Sequence, residues 1–314
     1  MTTPRLGLLC LPRSVASAVA DARLAEDVGF SMVGVADSQS LFREMYATMA
    51  LCAQATRRVR IGPSVTNPIT RHPAVAASGI ATVDETAPGR AFFGIGSGDS
   101  AILNLAERPS TLADLRAYIE TVRALHTKGE TTWRGRLVRL TWATRAIPIY
   151  LSAEGPRTLE LAGEIADGVI VNVGLEPALV RDAVARVRAG VRRAGRDPSS
   201  IDLWTMVRAN VTDDVAAGVD EIRMELASNA HHVFRFTLDG STCRPRSPTR
   251  SSACRRAISL PRTRRSAPAR TRRCSTPSRR CAPISRSASR RWARPPPWRR
   301  SFAVSWTRGS AACW

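Results

Sequence analysis

The sequence predicts an α/β protein of the (β/α)8-type barrel class, incomplete at its eighth βα unit. Three observations predict it. Short apolar runs alternate with segments of helical periodicity from Arg5 to about residue 230. The runs are continuously apolar, as strands are in a parallel sheet covered on both faces. Seven such units fit into about 230 residues, a density that favours a barrel over the alternative, an open doubly wound sheet.

The elements follow in order. "RLGLLCL" (5–11) reads as a buried strand, and "SVASAVADARLAEDV" as a helix with Ser14 as N-cap and Gly29 as its stop. "MVGVAD" (32–37) is the second strand and "REMYATMALCAQAT" the second helix. "VRIGPSV" (59–65) is the third strand, and Pro73 suits the first turn of a third helix. "RAFFGIG" (90–96) is the fourth strand, with a helix over 109–127. Residues 129–146 break the rhythm, and "TTWRGRLVRLTW" within them reads as a small hairpin outside the main sheet. Strands five to seven are "IPIYLS" (147–152), "GVIVNV" (168–173) and "IDLWTMVRA" (201–209). Helices follow them: "PRTLELAGEIA", then about 176–194 and about 213–230.

Charge divides the chain at Gly240. The 314 residues carry a net charge of +21, which first suggests a nucleic-acid binder. Yet residues 1–240 hold 27 basic against 26 acidic residues, while 241–314 hold 20 arginines and no Asp, Glu or Lys. Five of the seven cysteines and four tryptophans also fall in the second segment, which shows neither strand nor helix period. The expected organisation is therefore a barrel domain over 1–240 and a basic, disordered tail over 241–314. Three readings of the tail compete. It could bind nucleic acid through phosphates, or meet a membrane surface or acidic partner, or be the product of a shifted reading frame in GC-rich codons. The Arg, Pro, Ser, Ala, Cys and Trp composition without Lys, Asp or Glu favours the last. With only Cys10 and Cys52 in the first 240 residues, no signal-like N-terminus and no apolar run of about 20 residues, the expected setting is cytoplasmic, without a membrane.

In a barrel the site lies beyond the C-terminal ends of the strands. After the second strand stand Asp37, Ser38 and Gln39, which can hold a ligand or cap a helix. After the third comes "TNPITRHP" (66–73): Thr66 and Asn67 offer hydrogen bonds, Pro68 and Pro73 stiffen the loop, and Arg71 and His72 suit a polar or anionic ligand. His72 could equally be a structural hydrogen bonder. After the fourth comes "GIGSGDSA" (94–101), where Gly94, Gly96 and Gly98 allow close backbone approach, Gly96, Ser97 and Gly98 are candidate cofactor contacts, and Asp99 or Ser100 can cap the next segment. Its glycines lack the dinucleotide spacing. After the fifth, "SAEGPRTLE" holds Ser152, Ala153, Glu154, Gly155, Pro156 and Arg157, a helix start with free N–H groups that suits an anion. No Cys or His cluster has metal-ligand spacing, and His231 and His232 stand alone. No serine has the surroundings of a nucleophile elbow.

Four stretches together resemble the luciferase-like monooxygenase superfamily, in particular its deazaflavin-dependent branch, which includes methylenetetrahydromethanopterin reductases. They are "GFSMVGVADS", "TNPITRHPAVAASGIATVDE", "GRAFFGIGSGDSA" and "IPIYLSAEGPRTLELAGEIADGVIVN". The resemblance covers about residues 5–235. It implies a barrel that uses coenzyme F420 or FMN, with a non-prolyl cis peptide at Ser64–Val65 behind the cofactor ring. Thr66 and Asn67 would meet the ring edge, and "SAEGP" with the helix at Pro156 would hold the phosphate. Two departures stand out. Ser38 occupies a position where many members carry histidine, and "LGLLCLP" lacks the glutamate that many reductases carry on the first strand. Asp37, Asp99 and His72 are then the candidate catalytic groups, with Asp99 the best acid near the ring.

The expected function is hydride transfer between coenzyme F420 and a small organic substrate. The alternative is an FMN-dependent monooxygenase supplied by a flavin reductase. Alternatives of other classes are a non-functional frameshifted product and polyanion binding through the tail. A homodimer and an F420 or flavin reductase are expected partners, without specific nucleic acid.

Overall fold

The structure is a computed structural model that describes residues 5–143, 145–234 and 306–308. The chain divides into two units, residues 1–244 with 301–314 and residues 245–300. All described residues belong to the first.

Seven parallel strands follow one another in sequence order: β1 (Gly7–Cys10), β2 (Met32–Val35), β3 (Arg60–Pro63), β4 (Phe93–Ile95), β7 (Ile149–Ala153), β8 (Gly168–Val171) and β9 (Asp202–Met206). Parallel bridges Ile61–Ala91 and Thr66–Ile95 join β3 to β4, so the ladder is continuous from first strand to last. Helices α1 (Val15–Asp27), α2 (Met45–Ala55), α3 (Pro73–Thr86), α5 (Leu112–Lys128), α6 (Pro156–Ile165) and α7 (Pro177–Arg193) connect them. A short α4 (Ser100–Leu103) precedes α5, and the predicted hairpin is β5 (Glu130–Trp133) against β6 (Arg136–Arg139). The last predicted helix is two, α8 (Val215–Glu221) and α9 (Arg223–Phe234), parted at Ile222.

The local chemistry of these elements is ordinary. Ser14 and Ser17 form a capping box on α1. Thr111 caps α5, which ends on Gly129 at φ 75°. Proline opens α3, α6 and α7, where the missing N–H has no helical partner to lose.

Two apolar clusters divide the faces of the sheet. The larger joins strand residues such as Val33, Ile61 and Leu151 to helix residues such as Met49, Ile80, Tyr118 and Val187. The smaller comprises Met32, Phe92, Tyr150, Ile170, Trp204 and Met206, with Leu9 and Val65 against it. No helix contributes to it. Helices therefore cover one face, and the strands pack on one another across the other, here called the inner face.

The inner face is layered. At the N-terminal ends of the strands, Asp202 Oδ2 accepts from Tyr150 Oη at 2.8 Å and Trp204 Nε1 at 2.9 Å, and Arg60 Nη1 donates to Tyr150 Oη at 2.7 Å. Arg5, ahead of β1, donates to Asp202 Oδ1 at 2.6 Å and stacks over Trp204. Charges from the first and last parallel strands thus meet. Higher up, a Cβ on Gly62 would lie 2.1 Å from Phe92 O, one on Gly94 2.0 Å from Pro63 O, and one on Gly34 2.4 Å from Ser64 Cβ. Only glycine fits at these close approaches.

Among the described residues no eighth parallel strand follows β9. Instead β10 (Trp306–Arg308), from within the Arg-rich segment, pairs antiparallel with β9. This corrects the expectation of a segment without strand structure at those three residues: the open edge of β9 offers unpaired N–H and C=O groups that any extended segment can complete. The rest of the tail lies outside the described residues.

Candidate functional site at the C-terminal ends of the strands

The loop after β3 is built by its own polar groups. Asn67, 2% exposed, accepts from the backbone N–H groups of Ile69 and Thr70, each at 2.9 Å, through Oδ1. Its Oδ1 thus shapes the loop. The Ser64–Val65 peptide is cis, at the position the resemblance implies. Thr66 Oγ1 donates to Asp37 Oδ2 at 2.6 Å, which commits its proton and leaves its lone pairs as acceptors.

Arg71 differs from the sequence expectation. Its guanidinium is not open to an anion, because Nη1 donates to Asp37 Oδ2 at 2.6 Å and Nη2 to Glu44 Oε1 at 3.1 Å. The group also lies over the Tyr46 ring, and Tyr118 Oη donates to the Arg71 carbonyl. Burial pulls the Arg71 pKa down, but the hydrogen bond and charge of Asp37 outweigh it, and the net direction is up. The Asp37 side chain is 4% exposed. It holds Thr66 and Arg71 together rather than facing solvent.

His72 takes the structural course. It is the N-cap of α3, its Nδ1 accepting from Ala74 N at 3.2 Å, and its ring meets Trp133 of the hairpin edge to face. Asp99 occupies the N-cap position of α4 but makes no side-chain cap. Ser100 Oγ donates to Ser38 Oγ at 3.0 Å, and Gln39 Nε2 to Ala101 O at 2.7 Å, so the loops after β2 and β4 are tied together. Ser97 anchors Ser110 through its carbonyl. Gly98 has φ 103°, a conformation that favours glycine.

The loop after β7 leaves its helix start open. Gly155 is the N-cap of α6 and no side chain caps that turn. A Cβ on Gly155 would meet nothing within 4 Å. Arg157 is exposed beside it. Gly96 faces Ser152 across the sheet: its Cβ would lie 3.7 Å from Ser152 Cβ and 3.1 Å from Val65 Cγ2. Two buried hydroxyls beyond β3, Ser64 Oγ and Thr70 Oγ1, have no hydrogen-bond partner.

Sequence reasoning missed two residues. Asn172, 6% exposed and just past β8, donates to Glu154 Oε1 at 2.6 Å. Arg208, two residues past β9, has a buried Nη1 without a partner. Both continue the inner-face parity of their strands, after Ile170 and after Trp204 and Met206. Among the described residues no group of three or more His, Cys, Asp or Glu side chains could hold a metal ion. His231 and His232 lie on α9, and nothing is described of their side chains. No described helix is long and apolar enough to cross a membrane.

The arrangement has counterparts of the same fold. The structure of the coenzyme F420 dependent tetrahydromethanopterin reductase from Methanopyrus kandleri superposes with a TM-score of 0.64 at 27% identity, covering 73% of each chain. The chain is thus an α/β protein with a parallel sheet of that architecture. At the level of sequence, the model of the luciferase-like monooxygenase family matches residues 3–271, and the chain belongs to that family. A 5,10-methylenetetrahydromethanopterin reductase of Methanolobus tindarius is 34% identical over 229 residues, 70% of this chain and 67% of the relative. An F420-dependent glucose-6-phosphate dehydrogenase of Nakamurella multipartita is 32% identical over 219 residues, 63% of this chain and 65% of the relative. The chain spans about two thirds of the length of these curated relatives.

Proposed function

We propose that the seven parallel strands form the wall of a barrel and that its mouth is the site of a coenzyme F420-dependent oxidoreductase acting on a small organic substrate. The observation that carries the reading is the open turn at Gly155: an uncapped helix start, opened by proline, with free space before it and an unpartnered Ser64 hydroxyl at the same mouth. Helices on one face only, and the Arg5–Asp202 pair between first and last parallel strands, support the barrel. Relatives named as F420-dependent support the cofactor.

When bound, the deazaflavin supplies the hydride carrier. The chain supplies position and electrostatics. The free N–H groups of the first turn of α6 receive the phosphate, aided by the positive end of the helix and by Arg157. Thr66, held by Asp37, offers an acceptor, and Asn67, fixed through its Oδ1 to the loop backbone, a donor at the ring edge. Gly96, Ser97, Gly98, Ser152 and Ala153 border the space, and Val65 gives it an apolar wall. Asp99 stands nearest the role of acid on the loop after β4. Small-molecule substrate chemistry, a reductase partner, a homodimer and a cytoplasmic setting belong to the same reading.

The test is a fluorescence titration with F420, and with FMN as control, in moderate salt. Saturable F420 binding is expected, with loss of at least about tenfold in affinity on Gly155→Leu, a change of about 1.4 kcal/mol. The Leu side chain would enter open space, so the thermal midpoint should stay put. Preference for FMN, with oxygen consumed on turnover, would instead identify a monooxygenase. No binding to either would overturn the reading.

A further inference from the structure

The side chain least explained by the fold is Arg208. It follows Asp202, Trp204 and Met206 on the inner-face parity of β9 and stands where the strand opens to the mouth. Its Nη1 is buried and has no hydrogen-bond partner. The carboxylates that act on it electrostatically are Glu154, from the loop after β7, and Glu225, on α9. Glu154 is already engaged, since its Oε1 accepts from Asn172 at 2.6 Å. Burial lowers the Arg208 pKa, and the two glutamates offset that only in part.

A buried charged donor left unpaired is expensive, more so than a neutral one. The fold nevertheless holds one at the end of a strand where ligands of such sheets bind. Its planar fork matches a carboxylate or phosphate in a two-point contact, which neither glutamate makes.

We propose that Arg208 recognises an oxyanion, a carboxylate or phosphate group, of a molecule entering the mouth. This rests on the reading that the C-terminal ends of the strands form the site. The oxyanion belongs either to the substrate or to the phosphate-bearing side chain of the cofactor, and one set of experiments separates the two.

The full chain, with Arg208→Met and Arg208→Lys variants, is melted in increasing inorganic phosphate at constant ionic strength. The native chain should show a saturable rise in midpoint above a linear background from its other arginines. Arg208→Met should lose the saturable part, and Arg208→Lys should weaken it by roughly threefold or more, the fork being lost and the charge kept. F420 and its phosphate-free riboside are then titrated by fluorescence. An approximately tenfold loss of F420 affinity in Arg208→Met, with the riboside unaffected, assigns the oxyanion to the cofactor. Unchanged affinity for both, with the phosphate response lost, assigns it to the substrate. If Arg208→Met does not fold, Arg208→Lys carries the comparison. Identical phosphate and F420 curves in native and variant chains overturn the proposal. A native chain that binds no F420 sinks the functional reading alone, because the phosphate melt still decides Arg208.

Discussion

Glu26 shows how much one side chain can organise. It is 9% exposed at the end of α1, and its carboxylate accepts from the backbone N–H groups of Arg57, Arg58 and Val59 at 2.6–3.0 Å. Burial acts to raise its pKa, but the three N–H donors and the charge of Arg58 outweigh burial, and the net direction is down. A carboxyl whose pKa is depressed on folding stabilises the fold above its unfolded pKa, and that stability is lost as pH falls through the folded value. Glu26→Gln should therefore destabilise the chain by about 1–3 kcal/mol at neutral pH. The gap should close in acid, below the ordinary carboxylate range. Thermal melts across pH check this, and a gap that stays constant down to strongly acid solution would refute the ionic account. The two free thiols offer a contrast: burial pushes Cys10 up to about 12 and Cys52 to about 11, so both are inert packing groups.

The helices teach a similar lesson about contact distance. α6 and α7 touch backbone to backbone: a Cβ on Gly163 would lie 2.0 Å from Val187 O, and one on Gly190 1.9 Å from Glu160 O. Gly163→Ala should force the pair apart and cost about 1–3 kcal/mol, read as a lowered denaturation midpoint, despite the better helix propensity of alanine. An unchanged or raised midpoint would mean the pair can slide. Neither glycine could be singled out in the sequence, because each contact depends on a partner more than 20 residues away. Elements whose signals are local were legible: Ser14 as a cap, Pro73 and Pro156 at first turns, the hairpin after Lys128. The local geometry of the candidate site was legible where a motif carried it, as in the cis peptide at Ser64–Val65 and the helix start at Gly155. It was not legible where long-range pairing decided the role. Arg71 looked free because Asp37 and Glu44 lie 34 and 27 positions away. Arg208 was passed over because one arginine ending an apolar run carries no local signal.

For the molecule as a whole, charge and fold make separate demands. The parallel strands and the helices lie in the nearly neutral part, while 20 of the 21 net positive charges come from the segment after Gly240. A segment of that composition should bind any duplex DNA without sequence preference, losing at least about a hundredfold in affinity between about 50 and 200 mM salt. Filter binding on two unrelated sequences measures this. A preference between them, or a shallow salt slope, would give the tail a recognition role after all. The family match runs to residue 271, past the change in composition. We propose that residues 241–314 arise from a shifted reading frame, which sequencing the gene around codon 240 tests directly.

Arg5 and Asp202 meet across 197 residues of chain. During synthesis the first three strands can pair as they emerge, since each needs only its predecessor. Arg5 must wait until nearly two hundred further residues have been made before its partner exists. Contacts of such long sequence separation slow folding and leave the early strands exposed in the interval. The contact between Arg5 and the last parallel strand is thus later than any pairing among the first three strands. A pause or premature stop before Asp202 would leave a half-built sheet in which Arg5 has no carboxylate to meet.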